Sequence, residues 1–228
     1  MIYHELVITV RLNQDITVEY SYEAVSSFIS KAMLGDEQLK KFHEQMGFKY
    51  YVTCSLYPIE QDKVYRKGRV YLFNLRSLDV SFILKMKQLV MLVNGSPMKA
   101  IAIELRNNDY RPISEIYNIT PAVAIINNNC WRREDGLKLL AERIHSNAHK
   151  KYQSFYGEQL VTNENFIEYI EQKNVKPIRI RYKNTSLFGS KLVLGVKQDE
   201  ASQRLAFTVM GAGILEKNGI CCGYCRAK

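Results

Sequence analysis

GAGILEKNGICCGYCRAK, from Gly211 to Lys228, closes the chain with four spaced glycines, Gly211, Gly213, Gly219 and Gly223, and a cation, Lys217, in the loop between them. Glycine lets a backbone turn with positive φ or come close to another molecule. Its repetition beside a lysine reads as a main-chain cradle for an anion, with tight turns as the plain structural alternative. Just upstream, Leu205 and Ala206 recur at Val209 and Met210, the i, i+4 spacing of a helix buried on one face, so the loop ends a helix. A P-loop or dinucleotide fingerprint instead opens a helix, where free N–H groups meet phosphate. After Gly219 there follows only a short apolar, cysteine-rich strand, which disfavours nucleotide-hydrolase and Rossmann readings.

Working outward, the rest of the chain supplies the same kinds of element in a recurring order. Ile2 to Leu12 reads as a strand, Tyr22 to Met33 as a helix stopped at Gly35, and Leu39, Phe42 and Met46 as a second short helix closed by Gly47. Tyr50 to Tyr57 and Gly68 to Leu75 read as strands, Leu78 to Val93 as a helix, and Lys99 to Leu105 as a strand. The order β-α-β-β-α-β is that of a ferredoxin-like domain over residues 1–107. Asn107 to Thr120 carries turn residues and reads as a connector.

A second unit is expected over 121–228. It has a strand at Ala122 to Ile126, a helix at Glu134 to Phe155, and a further helix at Asn163 to Gln172 introduced by Thr162 and Asn163. Strands follow at Val175 to Tyr182 and Lys191 to Val196, then the helix before Gly211 and a closing strand near Ile220 to Arg226. The fold class is therefore α+β, two tandem ferredoxin-like (RRM-like) βαββαβ domains with a C-terminal glycine-rich loop. No residue-level repeat joins the halves.

Charge points the same way as the glycines. The chain has 228 residues, 46% hydrophobic and 24% charged, with a net charge of +9, and its pI is about 9.2. That excess favours a polyanionic partner. No apolar run is long enough to span a bilayer, and Met1 to Val10 has Glu5 where a signal peptide would want lysine or arginine, so a cytoplasmic protein without a membrane partner is expected. Arg179, Arg181 and Lys183 fall two apart on an expected strand, which puts all three on one face and Ile178, Ile180 and Tyr182 on the other. With 15 tyrosines and 9 phenylalanines available for base stacking, single-stranded or hairpin RNA fits. A solvated outer face is the alternative for the cationic row.

Five cysteines with no export signal are expected to stay reduced. Cys222 and Cys225 have CxxC spacing, but Cys54 and Cys130 stand alone and supply no second zinc pair, so ordinary thiols are favoured over a metal or redox site. His145 and His149 are four apart on the expected helix, with Ser146 where a zincin would carry glutamate, and read as an RNA-facing helix surface. No cofactor and no metal are expected.

Taken together, the paired ferredoxin-like units, the basic face and the glycine-rich loop resemble the CRISPR-associated endoribonucleases that cut the repeat of precursor CRISPR RNA, the sixth Cas family of the RAMP superfamily. The resemblance covers nearly the whole chain. Its most specific part is G-x-G, five residues, G-x-G, met by Gly211, Gly213 and Gly219, with Cys221 at the last glycine and Gly223 two residues on. Thr120-Pro121-Ala122-Val123, and Lys151-Tyr152 with Tyr156-Gly157, match the start of the second unit and the end of its helix.

The resemblance implies metal-independent cleavage by the RNA 2′-hydroxyl, leaving a 2′,3′-cyclic phosphate and a 5′-hydroxyl, as crRNA maturation within antiviral defence. It places the family histidine at His43 and the lysine six residues on at Lys49; the family tyrosine falls at Phe28, which has no hydroxyl, with Tyr22, Lys31 or Tyr50 as substitutes. Histidine suits proton transfer and lysine suits transition-state charge, so the pair also stands on its own chemistry. RNA contacts are expected from Lys31, Arg179, Arg181, Lys183, Gly211, Gly213, Lys217 and Gly219. The partner is CRISPR repeat RNA, with a homodimer and a CRISPR interference complex left open. A non-catalytic RNA-binding module of the same fold is the alternative function.

Overall fold

Leu6, Ile8, Val10 and Leu12 bury one face of Ile2–Leu12, and this period of two makes the segment a strand, β1, at the centre of the N-terminal half. The computed structural model describes residues 1–162 and 164–228. Strands β2 (Tyr51–Thr53), β3 (Val70–Ser77) and β4 (Met98–Asp109) complete an antiparallel sheet in the order β2-β3-β1-β4. Helices α1 (Val18–Met33) and α3 (Val80–Leu89) bring Val25, Phe28, Ile29, Phe82, Ile83 and Met86 into the core against it, and the short α2 (Glu37–Glu44) follows α1. Asp36 caps α2 by accepting from the amides of Gln38 and Leu39, and Asp79 caps α3 through those of Ser81 and Phe82.

The second half repeats this plan. Strands β5 (Glu115–Asn118), β6 (Ile167–Gln172), β9 (Leu192–Val196) and β10 (Cys225–Ala227) form a sheet in the order β6-β9-β5-β10, and between β6 and β9 the chain adds a separate hairpin, β7 (Ile178–Tyr182) and β8 (Thr185–Gly189). Helices α4 (Leu137–Tyr156) and α5 (Glu200–Ala212) pack on it. The two sheets share one topology, so the tandem ferredoxin-like architecture expected from the sequence is the one observed. Among the described residues no helix is long and apolar enough to cross a membrane.

Several element assignments change. The first strand of the second sheet is Glu115–Asn118, inside the stretch read as a connector, because β4 extends to Asp109 and leaves a short link. Ala122 and Val123 make only isolated bridges, and Ile125–Ile126 pairs with Asn129–Cys130. The helix expected over Asn163 to Gln172 is strand β6. Ile167 and Ile170 mimic a helical spacing, but the backbone pairs with β9; Asn163 itself lies outside the described residues. Val175 to Tyr182 enters the added hairpin rather than the main sheet.

The halves interlock. Tyr3 and Leu78 belong to the C-terminal core, whereas Cys221 and Tyr224 belong to the N-terminal one. Gly211 lies within α5, where a Cβ would stand 2.4 Å from Leu78 Cδ2 and 2.9 Å from Tyr3 Cβ, so its role is close helix packing. Gly223 has φ +70°, and a Cβ there would approach the Ile214 carbonyl oxygen to 2.2 Å. Gly223→Ala is therefore expected to lower stability by about 2 kcal/mol or more, combining left-handed strain with that clash. Urea unfolding of the variant measures it, and an unchanged midpoint would contradict the packing described.

Candidate nucleic-acid interface

Four segments distant in sequence meet at a cleft of about 380 Å³: Gly47 to Tyr51 after α2, the single residue Ile125, Asn147 and Lys151 of α4, and Ala212 with Leu215 to Gly219 of the glycine-rich loop. The loop is shaped from several sides. Val123 and Pro121 offer carbonyls to the amides of Glu216 and Gly223, at 3.1 and 2.9 Å, and Thr120 Oγ1 accepts from the Tyr224 amide at 2.9 Å. The Thr120-Pro121-Ala122-Val123 motif is thus the outer rail of the loop. Gly213, with φ +82°, lies where a Cβ would meet Asn218 Nδ2 at 2.5 Å and Val52 Cβ at 2.9 Å, and a Cβ on Gly219 would meet Tyr51 Oη at 2.9 Å. Both glycines let the loop press against β2. Lys217 is exposed, with φ +63°, and enters no ion pair among the described residues.

Lys151 holds the loop from inside. Only 3% exposed, its Nζ donates to the carbonyls of Gly213 and Leu215 at 2.7 and 2.8 Å and to Asn218 Oδ1 at 2.7 Å. Burial draws its pKa down to about 7. Three acceptors at these distances match the three N–H groups of an ammonium, which opposes that pull. In the sequence Lys151 stands out only as part of the Lys151-Tyr152 and Tyr156-Gly157 motif. The available signal was a lysine three residues after Ala148, on the buried stripe of Leu140, Ile144 and Ala148.

The Lys49 ammonium meets His43 at its backbone carbonyl and not at its imidazole. His43 stands exposed in the last turn of α2, outside the residues that line the cleft. Lys49 lines the cleft, and its ammonium closes the end of α2: it donates to the carbonyls of Phe42 and Gln45, and to that of His43 at 3.2 Å, and sits 5.0 Å from the centre of the Phe42 ring. Partial burial lowers the Lys49 pKa below the usual lysine value. Tyr50, at φ +49°, reaches across to α4, donating to the Ser154 carbonyl at 3.1 Å and meeting Ser154 Oγ at 2.5 Å.

Phe28 is a core residue, 0% exposed and edge-on to Phe73 at 5.9 Å. The position aligned with the family tyrosine therefore points into the sheet. Phe28→Tyr is expected to cost about 1–3 kcal/mol, since the new hydroxyl meets no partner in that core. An unchanged urea midpoint for the variant would contradict this packing. The Tyr22 hydroxyl is pushed well up by burial, and its backbone carbonyl lies 3.7 Å from Cys221 Sγ. Lys31 donates to the Gly95 carbonyl at 2.6 Å and is not among the cleft-lining residues.

The basic row is smaller than the alternation suggested. Arg179 and Arg181 lie on β7, but the strand ends at Tyr182; Lys183, at φ +52°, turns off the pleat and its amide donates to Glu23 at 2.9 Å. Arg179 donates to Ser186 Oγ at 3.0 Å, and Arg181 lies 4.8 Å from the Tyr20 ring centre. The hairpin leans on the loop region through Ile180, packed with Val123 and Cys222. His145 and His149 are half-buried and engage the chain itself. The Phe166 amide donates to His145 Nδ1 at 3.3 Å, and His149 Nε2 lies 2.6 Å from the Leu160 carbonyl. All five cysteines are free, and burial pushes Cys222 and Cys225 up to about 12, which keeps both as thiols. Among the described residues no three or more His, Cys, Asp or Glu side chains group as metal ligands.

No protein-family model matches the chain, and no curated protein matches it. Solved structures do. A "CRISPR associated protein Cas6" is similar at 17% identity and a TM-score of 0.73, covering 99% of both chains. "An RAMP protein binding different RNA substrates" matches at 16% and 0.74, again over 99% of both. The product of a Cas6-related gene from Pyrococcus furiosus matches at 16% and 0.68, over 99% of this chain and 98% of that one. At such identities the likeness is one of fold, and it extends through both halves.

Proposed function

We propose that the protein binds the repeat of precursor CRISPR RNA and cuts it once without a metal ion, to give mature guide RNAs. The observation that carries this reading is the cleft itself: Lys49, Tyr50 and Tyr51 of the first unit face Lys217 and Gly219 of the second across a space lined by both. An RNA strand laid there meets cations for its phosphates and the half-buried rings of Phe48 and Tyr50 for its bases. The full-length likeness to Cas6 and RAMP structures supports the choice of substrate.

In the proposed reaction His43 removes the 2′-hydroxyl proton, the 2′-oxygen bonds to phosphorus, and the P–O5′ bond breaks as the 5′-oxygen takes a proton from water, which His43 then replaces with the one it removed. The products are a 2′,3′-cyclic phosphate and a 5′-hydroxyl. Lys49 supplies positive charge beside the phosphorane-like transition state, exchanging one α2 carbonyl for a phosphate oxygen when RNA binds. Arg179, Arg181, Lys183 and Lys217 act as phosphate contacts. The alternative, a non-catalytic RNA-binding module, is favoured by Phe28 in the core and by the three carbonyls already engaged by Lys49. Labelled repeat RNA incubated with the protein in EDTA separates them. Cleavage with the two expected ends supports the nuclease, binding without cleavage supports the module, and neither removes both readings.

A further inference from the structure

We propose that Lys151 is a positioning residue whose ammonium group, by holding the Gly213 and Leu215 carbonyls and the Asn218 side chain, keeps the glycine-rich loop in the form that faces RNA. The inference rests on the cleft being the RNA site. Three observations carry it. Lys151 is buried, yet each of its short hydrogen bonds goes to the loop and none to its own helix. Asn218 relays the hold: while its Oδ1 accepts from Lys151, its Nδ2 donates to the Ile214 and Cys222 carbonyls, at 3.0 Å each, and so ties the loop's two ends. Finally, Lys151, Lys217, Asn218 and Gly219 line the same cleft, so the loop cannot move without reshaping the surface offered to RNA.

The arrangement also depends on protonation. A neutral amine has two donors for three acceptors, so one loop contact is lost when Lys151 gives up its proton. The charged or titratable groups near it are Glu216 of the loop, which accepts from Arg143 Nε of α4 at 2.9 Å, and Cys225 of β10, an uncharged thiol at neutral pH. Lys49 and Lys217 line the same cleft. With the folded value near 7 against 10.5 for an ordinary lysine, the third contact is present below about pH 7 and is lost as pH rises through it, while global stability, as for any lysine whose folded value is depressed, rises over the same range.

The test compares the full chain with Lys151→Met, by amide exchange of residues 213–223 and by the Kd for labelled repeat RNA across pH. In the variant, loop exchange is expected to rise about tenfold while the N-terminal sheet keeps its protection. RNA binding is expected to weaken about tenfold below pH 7, and the gap between the two proteins to narrow as pH rises through that value. A purely structural lysine would not produce that narrowing. Unchanged loop exchange together with parallel pH profiles overturns the inference. A wild-type protein that binds no repeat RNA overturns the reading of the cleft instead, and the exchange result then decides the role of Lys151 alone. Should Lys151→Met fail to fold, Asn218→Ala takes its place. Faster loop exchange in Asn218→Ala supports the inference, and unchanged exchange overturns it.

Discussion

His43→Ala is expected to slow cleavage of repeat RNA by about 10²–10⁴-fold, the range lost when a positioned acid–base group is removed, while affinity stays close to wild type. Binding should survive because His43 is exposed at the end of α2 and its side chain makes no hydrogen bond among the described residues. What fixes its place is backbone, the Lys49 ammonium bonded to its carbonyl at 3.2 Å, and the alanine variant keeps that bond. Single-turnover cleavage with a parallel binding titration separates the two effects. Wild-type rates from His43→Ala would move the chemistry to other residues even with the overall function intact. A similar loss from Lys49→Ala would be harder to assign, because three helix-end carbonyls lose their donor as well.

Arg76→Leu is expected to cost about 3–5 kcal/mol, because it strands a buried carboxylate. Arg76 and Glu5 have side chains 8% and 6% exposed, and Arg76 Nε donates to Glu5 Oε1 at 2.6 Å. Arg76 Nη1 also donates to the Cys225 carbonyl at 2.7 Å, and the guanidinium lies 4.2 Å from the Tyr224 ring centre, whose hydroxyl donates to the same Glu5 oxygen. One ion pair on β1 and β3 therefore holds the last strand of the other unit. Burial pushes Glu5 up, but the Arg76 guanidinium and the Tyr224 hydroxyl outweigh it and hold the carboxyl below its usual 4.5. A lowered carboxyl pKa makes the pair's contribution present above about 4.5 and lost as pH falls through the folded value. Urea unfolding at neutral pH and at about pH 3 should show wild type converging on Arg76→Leu in acid. Equal stability of the two at neutral pH would contradict the arrangement.

Much of the architecture was legible because it is local. The alternation in Ile2–Leu12 and the helical spacing of Phe28, Ile29, Ala32 and Met33 are properties of short windows, and the elements formed where those windows lie. Ile167–Gln172 misled because two isoleucines three apart fit a helix as well as a strand, and only the ladder to Leu192–Val196 decides between them. Glu115–Asn118 was hidden by its length of four residues among turn formers. The glycines were legible as special positions, but the reasons for them were not. Gly211 and Gly219 make room for Leu78, Tyr3 and Tyr51, all more than a hundred residues away in sequence.

The amino-acid sequence alone determined the element types of the first unit, the tandem ferredoxin-like class, the basic balance and the presence of a glycine-rich turn before the last strand, while two strands of the second unit were misread. These depend on periodicity, charge and backbone freedom, which neighbouring residues set between them. Tertiary structure decided that Phe28 faces the core, that Lys49 closes a helix, that Lys151 grips the loop, and that Glu5, Arg76 and Tyr224 bind the halves together. Each of these is a choice among partners that sequence spacing leaves equally available. It is settled only when burial removes water as the competing hydrogen-bond partner and the folded chain presents one acceptor within reach.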